Sequence, residues 1–257
     1  MAVLEYKKEG KIATFTINRP EAYNAVDPEV AEEFSRALID FRDDDSLWVG
    51  IVTGAGNKAF CAGADIRSML PYLAKNKGKP WKTPPMITFG LELWKPLVAA
   101  INGVALGTGL EFCMACDVRV AVESARLGLP EVTLGMVPAM GGTQRLARLV
   151  PFGIAAEMLL TGKHIDAQEA YRIGLVNKVV PASELMSAAK EMAEALCKPG
   201  PLAVRAAKKA MYQGTSLGLE EALRLELMCV DTIYGSEDFK EGITAFADKR
   251  KPEYKAK

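Results

Sequence analysis

Two carboxylates sit where carboxylates are costly. Glu111 falls in the apolar run Leu110-Glu111-Phe112-Cys113-Met114-Ala115, and Glu131 in Leu127-Gly128-Leu129-Pro130-Glu131-Val132-Thr133-Leu134-Gly135. An ionised side chain among such neighbours needs a counter-charge, a proton or a task. Two carboxyl groups in one site do not both ionise easily, so one stores a proton while the other is free to accept one, the arrangement general acid and base work requires. The two stand 20 residues apart. They converge only if the chain doubles back between them; otherwise each is an ordinary surface or helix-cap carboxylate.

Small residues mark a second kind of chemistry, carried by the backbone. Phe60-Cys61-Ala62-Gly63-Ala64-Asp65-Ile66 and Ile101-Asn102-Gly103-Val104-Ala105-Leu106-Gly107-Thr108-Gly109 allow close approach of a ligand or of another strand. The second stretch passes from a buried strand into a helix opening at Thr108. The Thr108 N–H therefore lies among the unpaired donors at a helix N-terminus, where an anion or a developing oxyanion is favoured. Tight packing of strand on helix accounts for the same glycines equally well.

Other chemistries find less support. A Ser-His-Asp or Cys-His arrangement must use His164, the single histidine, which sits at a polar turn before a helix opening at Asp166. Cys113 and Cys116 have no second CxxC to complete a zinc site, and five cysteines without a regular framework suit reduced, buried thiols. The run Gly54-Ala55-Gly56-Asn57-Lys58-Ala59 formally matches a dinucleotide fingerprint, but no Asp or Glu follows between positions 66 and 91 to hold a ribose.

The elements that must position these groups are legible in outline. A hairpin turns at Glu9-Gly10 between strands at 4–6 and 12–17. Asp27-Pro28 caps and opens an amphipathic helix through Val30, Phe34, Ala37, Leu38 and Phe41. Apolar runs at 48–53 and 97–101 read as buried strands. From about residue 143 the pattern is helical throughout, at 143–150, 153–161, 166–173, 182–197, 201–212, 219–233 and 236–247. The chain thus reads as α/β with a helical C-terminal part.

With 257 residues, 49% hydrophobic content and 32 basic against 32 acidic residues, the chain suits a soluble globular protein with no basic excess for nucleic acid. No run approaches the ~20 apolar residues of a membrane span, and the N-terminus lacks a secretory pattern, so a cytoplasmic location is expected.

Taken in order, Asn18-Arg19-Pro20 with Asn24-Ala25, FCAGADI, INGVALGTGLEFCMACD, LGLPEVTLGMVPAMGGTQRL, LTGKHIDAQEAYRIGLVNKVV and EGITAFADKRKP resemble the crotonase family, and within it the enoyl-CoA hydratases, nearly end to end. The resemblance implies a crotonase-like spiral of repeated ββα units over 1–198. It also implies a helical C-terminal region over 199–257 used for trimer formation, often in a dimer of trimers. It assigns an oxyanion hole to the N–H groups of Ala64 and Thr108, and the hydratase glutamates to Glu111 and Glu131, with Glu111 expected as base and Glu131 as acid. Ala62, Gly63, Ala64, Asp65, Ile66 and Arg67 match the segment that lies along coenzyme A, which enters as part of an acyl-CoA substrate. No metal and no organic cofactor is expected. Other crotonase reactions, such as isomerisation or carnitinyl-CoA dehydration, remain alternatives, as does a non-catalytic acyl-CoA-binding or RNA-binding relative.

One departure is visible, Thr108 where hydratases carry a glycine-type residue. Two further features bear on the substrate. Between positions 66 and 91 the charged residues are Arg67, Lys75, Lys77, Lys79 and Lys82, which suit either phosphate steering or a solvated loop. The segment 71–95 carries Pro80, Trp81, Pro84, Pro85, Phe89 and Trp94, suited either to a bounded pocket for short acyl groups or to simple packing.

Overall fold

A computed structural model describes residues 2–77, 79 and 82–257. Pro80 and Trp81 lie outside the described residues. The antiparallel hairpin forms as expected from β1 (Leu4–Glu9) and β2 (Ile12–Ile17), with Glu9 paired to Ile12 across Gly10 at φ +58°. Asp27 caps α1 (Pro28–Asp43) by accepting the N–H of Val30, and that helix buries Val30, Phe34, Leu38 and Phe41. Phe15 of β2 packs against both Phe34 and Phe41, joining hairpin to helix.

Thereafter each turn of the chain lays one strand in each of two sheets. The larger sheet runs β1-β2-β3-β5-β7-β10, with β3 (Val49–Gly54), β5 (Leu97–Ile101), β7 (Val118–Val122) and β10 (Lys178–Val180) all parallel to β2. The smaller runs β4-β6-β8-β9, built from β4 (Ala59–Cys61), β6 (Val104–Leu106), β8 (Arg126–Gly128) and β9 (His164–Asp166). Helices α2 (Ile66–Lys75) and α3 (Thr108–Ala115) follow β4 and β6, giving successive ββα units. Strands β3 and β5 are buried along their whole length, which is why they read as unbroken apolar runs.

The expectation of unbroken helix after residue 143 is corrected. Helices α4 (Gly142–Leu149), α5 (Phe152–Thr161), α6 (Ala167–Arg172) and α7 (Leu185–Leu196) are interrupted by β9 and β10. Each of these strands is three residues long, too short to display a period of two, and they form because an open sheet edge is there to receive them. Helices α8 (Pro201–Gly214), α9 (Leu219–Asp231) and α10 (Glu237–Ala247) complete the chain. The ion pair of Lys208 with Asp117, at 2.7 Å and largely buried, ties α8 to the start of β7. No helix among the described residues is long and apolar enough to cross a membrane.

Candidate active site

The site is built where the two small-residue stretches meet. Two buried asparagines fix the turn that leads into β4. Asn102 donates to the carbonyls of Gly54 (2.8 Å), Gly56 (2.9 Å) and Ala59 (3.1 Å), while Asn24 donates to those of Ala55 (3.0 Å) and Ala59 (2.7 Å). The supposed dinucleotide fingerprint therefore leads into a strand, and it offers no helix N-terminus to a pyrophosphate.

Beyond β4, Gly63 turns the chain at φ +112°, and a Cβ there would stand 3.2 Å from the Leu106 carbonyl and 3.9 Å from the Thr108 nitrogen. Gly107 turns it again at φ +53°, a conformation that favours glycine. A Cβ on Gly109 would fall 1.9 Å from the Cys61 carbonyl, so the first turn of α3 lies directly on β4. Packing and access thus coexist: the glycines seat the helix, and the same closeness brings the Gly63 backbone, next to Ala64, alongside that of Thr108.

The donors themselves are left free by local geometry. Val26 brackets Ala64 in a parallel bridge, donating to the Gly63 carbonyl and accepting from the Asp65 N–H, each at 2.8 Å. In that pattern Ala64 points its own N–H to the opposite side. Among the described residues, neither the Ala64 nor the Thr108 N–H donates to a protein acceptor. Arg19 braces this segment, with Nη2 3.3 Å from Asp65 Oδ2 and Nη1 2.8 Å from the Ala25 carbonyl. Ala62 donates to the Tyr23 carbonyl at 3.0 Å, while Ile66 and Arg67 are exposed on the first turn of α2.

Glu111 lies on the first turn of α3 and is 1% exposed. Its Oε1 accepts the N–H groups of Met140 at 2.7 Å and Gly142 at 2.8 Å. Gly142 opens α4, so one helix N-terminus holds a carboxylate from the first turn of another. Burial still pushes the Glu111 carboxyl above its usual range. The two N–H bonds and the Arg145 guanidinium oppose that push, while the Glu131 charge adds to it.

Glu131 stands on a 3₁₀ turn, Pro130–Leu134, entered through the proline. Its Oε1 is 3.1 Å from where a Cβ on Gly107 would stand, and its Oε2 is buried without a hydrogen-bond partner. Burial pushes its carboxyl up as well. The chain does double back: β7 and β8 carry it out and return it, and the Gly107 N–H closes the loop on the Gly128 carbonyl at 3.0 Å. Glu131 therefore borders the Gly107 turn, while Glu111 stands on the first turn of the helix that opens there and feels the Glu131 charge.

Other sequence candidates fall elsewhere. His164 is exposed on β9, packed over Gly128. Cys113 and Cys116 are free and fully enclosed, and burial pushes the Cys116 thiol up to about 12 and that of Cys113 well above its ordinary value, against thiolate chemistry. Trp94 is half-buried, with Lys209 of α8 6.0 Å from its ring centroid, so it packs under the helical part. Met140 and Gly142, which hold Glu111, and Arg145, which binds Met140, are not singled out by the sequence. Their signal was the Gly141-Gly142 pair opening an amphipathic helix, a donor-rich terminus waiting for a carboxylate.

A two-sheet ββα spiral with paired carboxylates beside free backbone donors defines a class, and sequence comparison agrees with it. The enoyl-CoA hydratase/isomerase family model matches residues 7–257, and the chain belongs to that family. It is 44% identical over 248 residues to the short-chain-enoyl-CoA hydratase of Clostridium acetobutylicum, covering 96% of this chain and 95% of that protein. The crotonyl-CoA hydratase of Syntrophomonas wolfei is 41% identical, covering 98% and 97%. Among solved structures, the enoyl-CoA hydratase of Bacillus anthracis superposes with a TM-score of 0.91 at 38% identity, covering 99% of this chain and all of that one.

Proposed function

We propose that the chain is an enoyl-CoA hydratase that adds water reversibly across the 2,3 double bond of a short 2-enoyl-CoA to give a 3-hydroxyacyl-CoA. The observation that carries this reading is the pairing of two carboxylates, Glu131 at the Gly107 turn and Glu111 on the first turn of the helix after it, with the unpaired N–H groups of Ala64 and Thr108. The names of the relatives, short-chain and crotonyl-CoA hydratases, support the substrate class.

The two glutamates differ in a way that supports a division of roles. Glu111 has two N–H donors and the Arg145 charge to favour its ionised form, so it is the base. Glu131, with a buried oxygen lacking any partner, favours its protonated form and is the acid. Glu111 takes a proton from water as the oxygen adds to C3. Charge moves onto the thioester oxygen, where the Ala64 and Thr108 donors meet it, and Glu131 delivers its proton to C2. The site resets when the proton passes from Glu111 back to Glu131 through solvent. The developing charge is met entirely by protein groups, so the proposed cycle calls on neither metal nor organic cofactor.

Segment 62–67 would lie along coenzyme A, with the exposed Arg67, Lys75, Lys77, Lys79 and Lys82 facing its phosphates. A homotrimer or homohexamer, organised through residues 199–257, and a cytoplasmic location complete the reading. A panel of enoyl-CoA thioesters, followed by loss of the conjugated absorbance, tests the activity. Glu111→Gln and Glu131→Gln are each expected to lower kcat at least ~100-fold while leaving coenzyme A binding intact. Wild-type turnover in either variant would refute the two-glutamate mechanism.

A further inference from the structure

Arg145 of α4 touches neither of the free backbone donors, yet it links two segments that flank the site. Its Nη1 donates to the Met140 carbonyl at 3.1 Å, and its Nη2 to the Thr88 carbonyl at 2.8 Å. Met140 is the residue whose N–H holds Glu111. Thr88 is buried in a tight turn in which Met86 and Phe89 exchange backbone hydrogen bonds at 2.8 and 3.1 Å. The Arg145 backbone N–H also binds the Gly141 carbonyl at 2.8 Å. A Cβ on Gly141 would stand 1.8 Å from Nη1, so the tip of the guanidinium occupies the space a side chain there would need. The 140–142 cradle is thus gripped from both sides by one residue.

We infer that Arg145 is the positioning residue that sets Glu111 for water activation, by fixing the 140–142 cradle against the 86–90 turn. The inference rests on the proposed hydratase reading. The physical ground is the planar guanidinium fork, which fixes two acceptors at a set separation and angle as a lysine ammonium cannot. Released from Arg145, the cradle keeps its sequence but loses its register on Glu111, and displacements of about 1 Å in a catalytic group cost on the order of 100-fold in rate. Burial weakens the charged form of Arg145, and the neighbouring Tyr212, Glu111 and Cys116 groups oppose that push.

The test compares two reactions of the same site. Hydration of crotonyl-CoA needs water activation by Glu111. Exchange of the C2 protons of butyryl-CoA in D2O, followed by NMR, needs the oxyanion donors and Glu131 in its ionised form to take the C2 proton, with no water to activate. Arg145→Met is expected to lower hydration kcat about 100-fold with KM within about threefold, and to leave exchange within about threefold of wild type. Arg145→Lys keeps charge and bulk but reaches one carbonyl, and is expected to fall between. An equal loss of hydration and exchange, or a change confined to KM, would overturn the positioning role, as would wild-type kcat in Arg145→Met. Absence of hydration by the wild-type chain would instead overturn the catalytic reading on which the inference stands.

Discussion

Gly142 donates its N–H to Glu111 Oε1 at 2.8 Å, and a Cβ on the same glycine would lie 3.0 Å from that oxygen and 2.7 Å from Pro138 Cβ. The position that holds the carboxylate therefore has no room for a side chain. Gly142→Ala is expected to displace Glu111 and lower kcat by about 10- to 100-fold, with little change in KM. Steady-state kinetics on crotonyl-CoA check this, and an unchanged kcat would show that the cradle tolerates the shift.

Glu131 gives a pH-dependent prediction. Its folded-state carboxyl is raised by burial, so the folded chain holds a proton that the unfolded chain has already released. Stability contributed this way is present at low pH and is lost as pH climbs from the ordinary carboxylate range to the raised value. Glu131→Gln removes that loss. Thermal melts as a function of pH should show the variant gaining on wild type in Tm as pH rises out of the ordinary carboxylate range, with the gap constant once Glu131 is ionised in the folded chain, even as activity disappears. A gap that narrows with rising pH would contradict the assignment of Glu131 as a strained, protonated acid.

The C-terminal helices carry apolar surface with no cover in a single chain. Leu219, Leu223 and Leu227 recur every four residues along α9 at 77%, 50% and 64% exposure, and Phe246 of α10 is 87% exposed. Spacing of four places the leucines on one face. Sedimentation equilibrium should find a trimer or hexamer of 27.8 kDa chains. An active monomer would leave this face unexplained and count against assembly through it.

Chain length separates the two uses of the proline- and aromatic-rich segment. A bounded pocket predicts kcat/KM for crotonyl-CoA at least about 10-fold above that for a C12 enoyl-CoA. Because Trp94 packs toward Lys209 of α8, Trp94→Ala is expected to leave that ratio unchanged. Efficient turnover of the C12 thioester would defeat the bounded pocket.

What the sequence determined by itself lies within the reach of a few residues. The capped helix α1, the hairpin, the buried runs that became β3 and β5, and the helix opening at Thr108 each announce themselves by local spacing, because capping, turns and burial periodicity act over one or two turns of chain. Glu111 and Glu131 were legible for the same reason, each a charge among apolar neighbours. Tertiary structure decided what joins these pieces. Strands β4, β6, β8, β9 and β10 are three residues each and carry no period of their own; they exist because a neighbouring strand supplies partners. The donors to Glu111 come from 29 and 31 residues away, and Glu131 Oε2 has none. That asymmetry, on which the proposed division into base and acid rests, arises from closure of the chain around two otherwise similar carboxylates, and closure depends on packing over the whole fold.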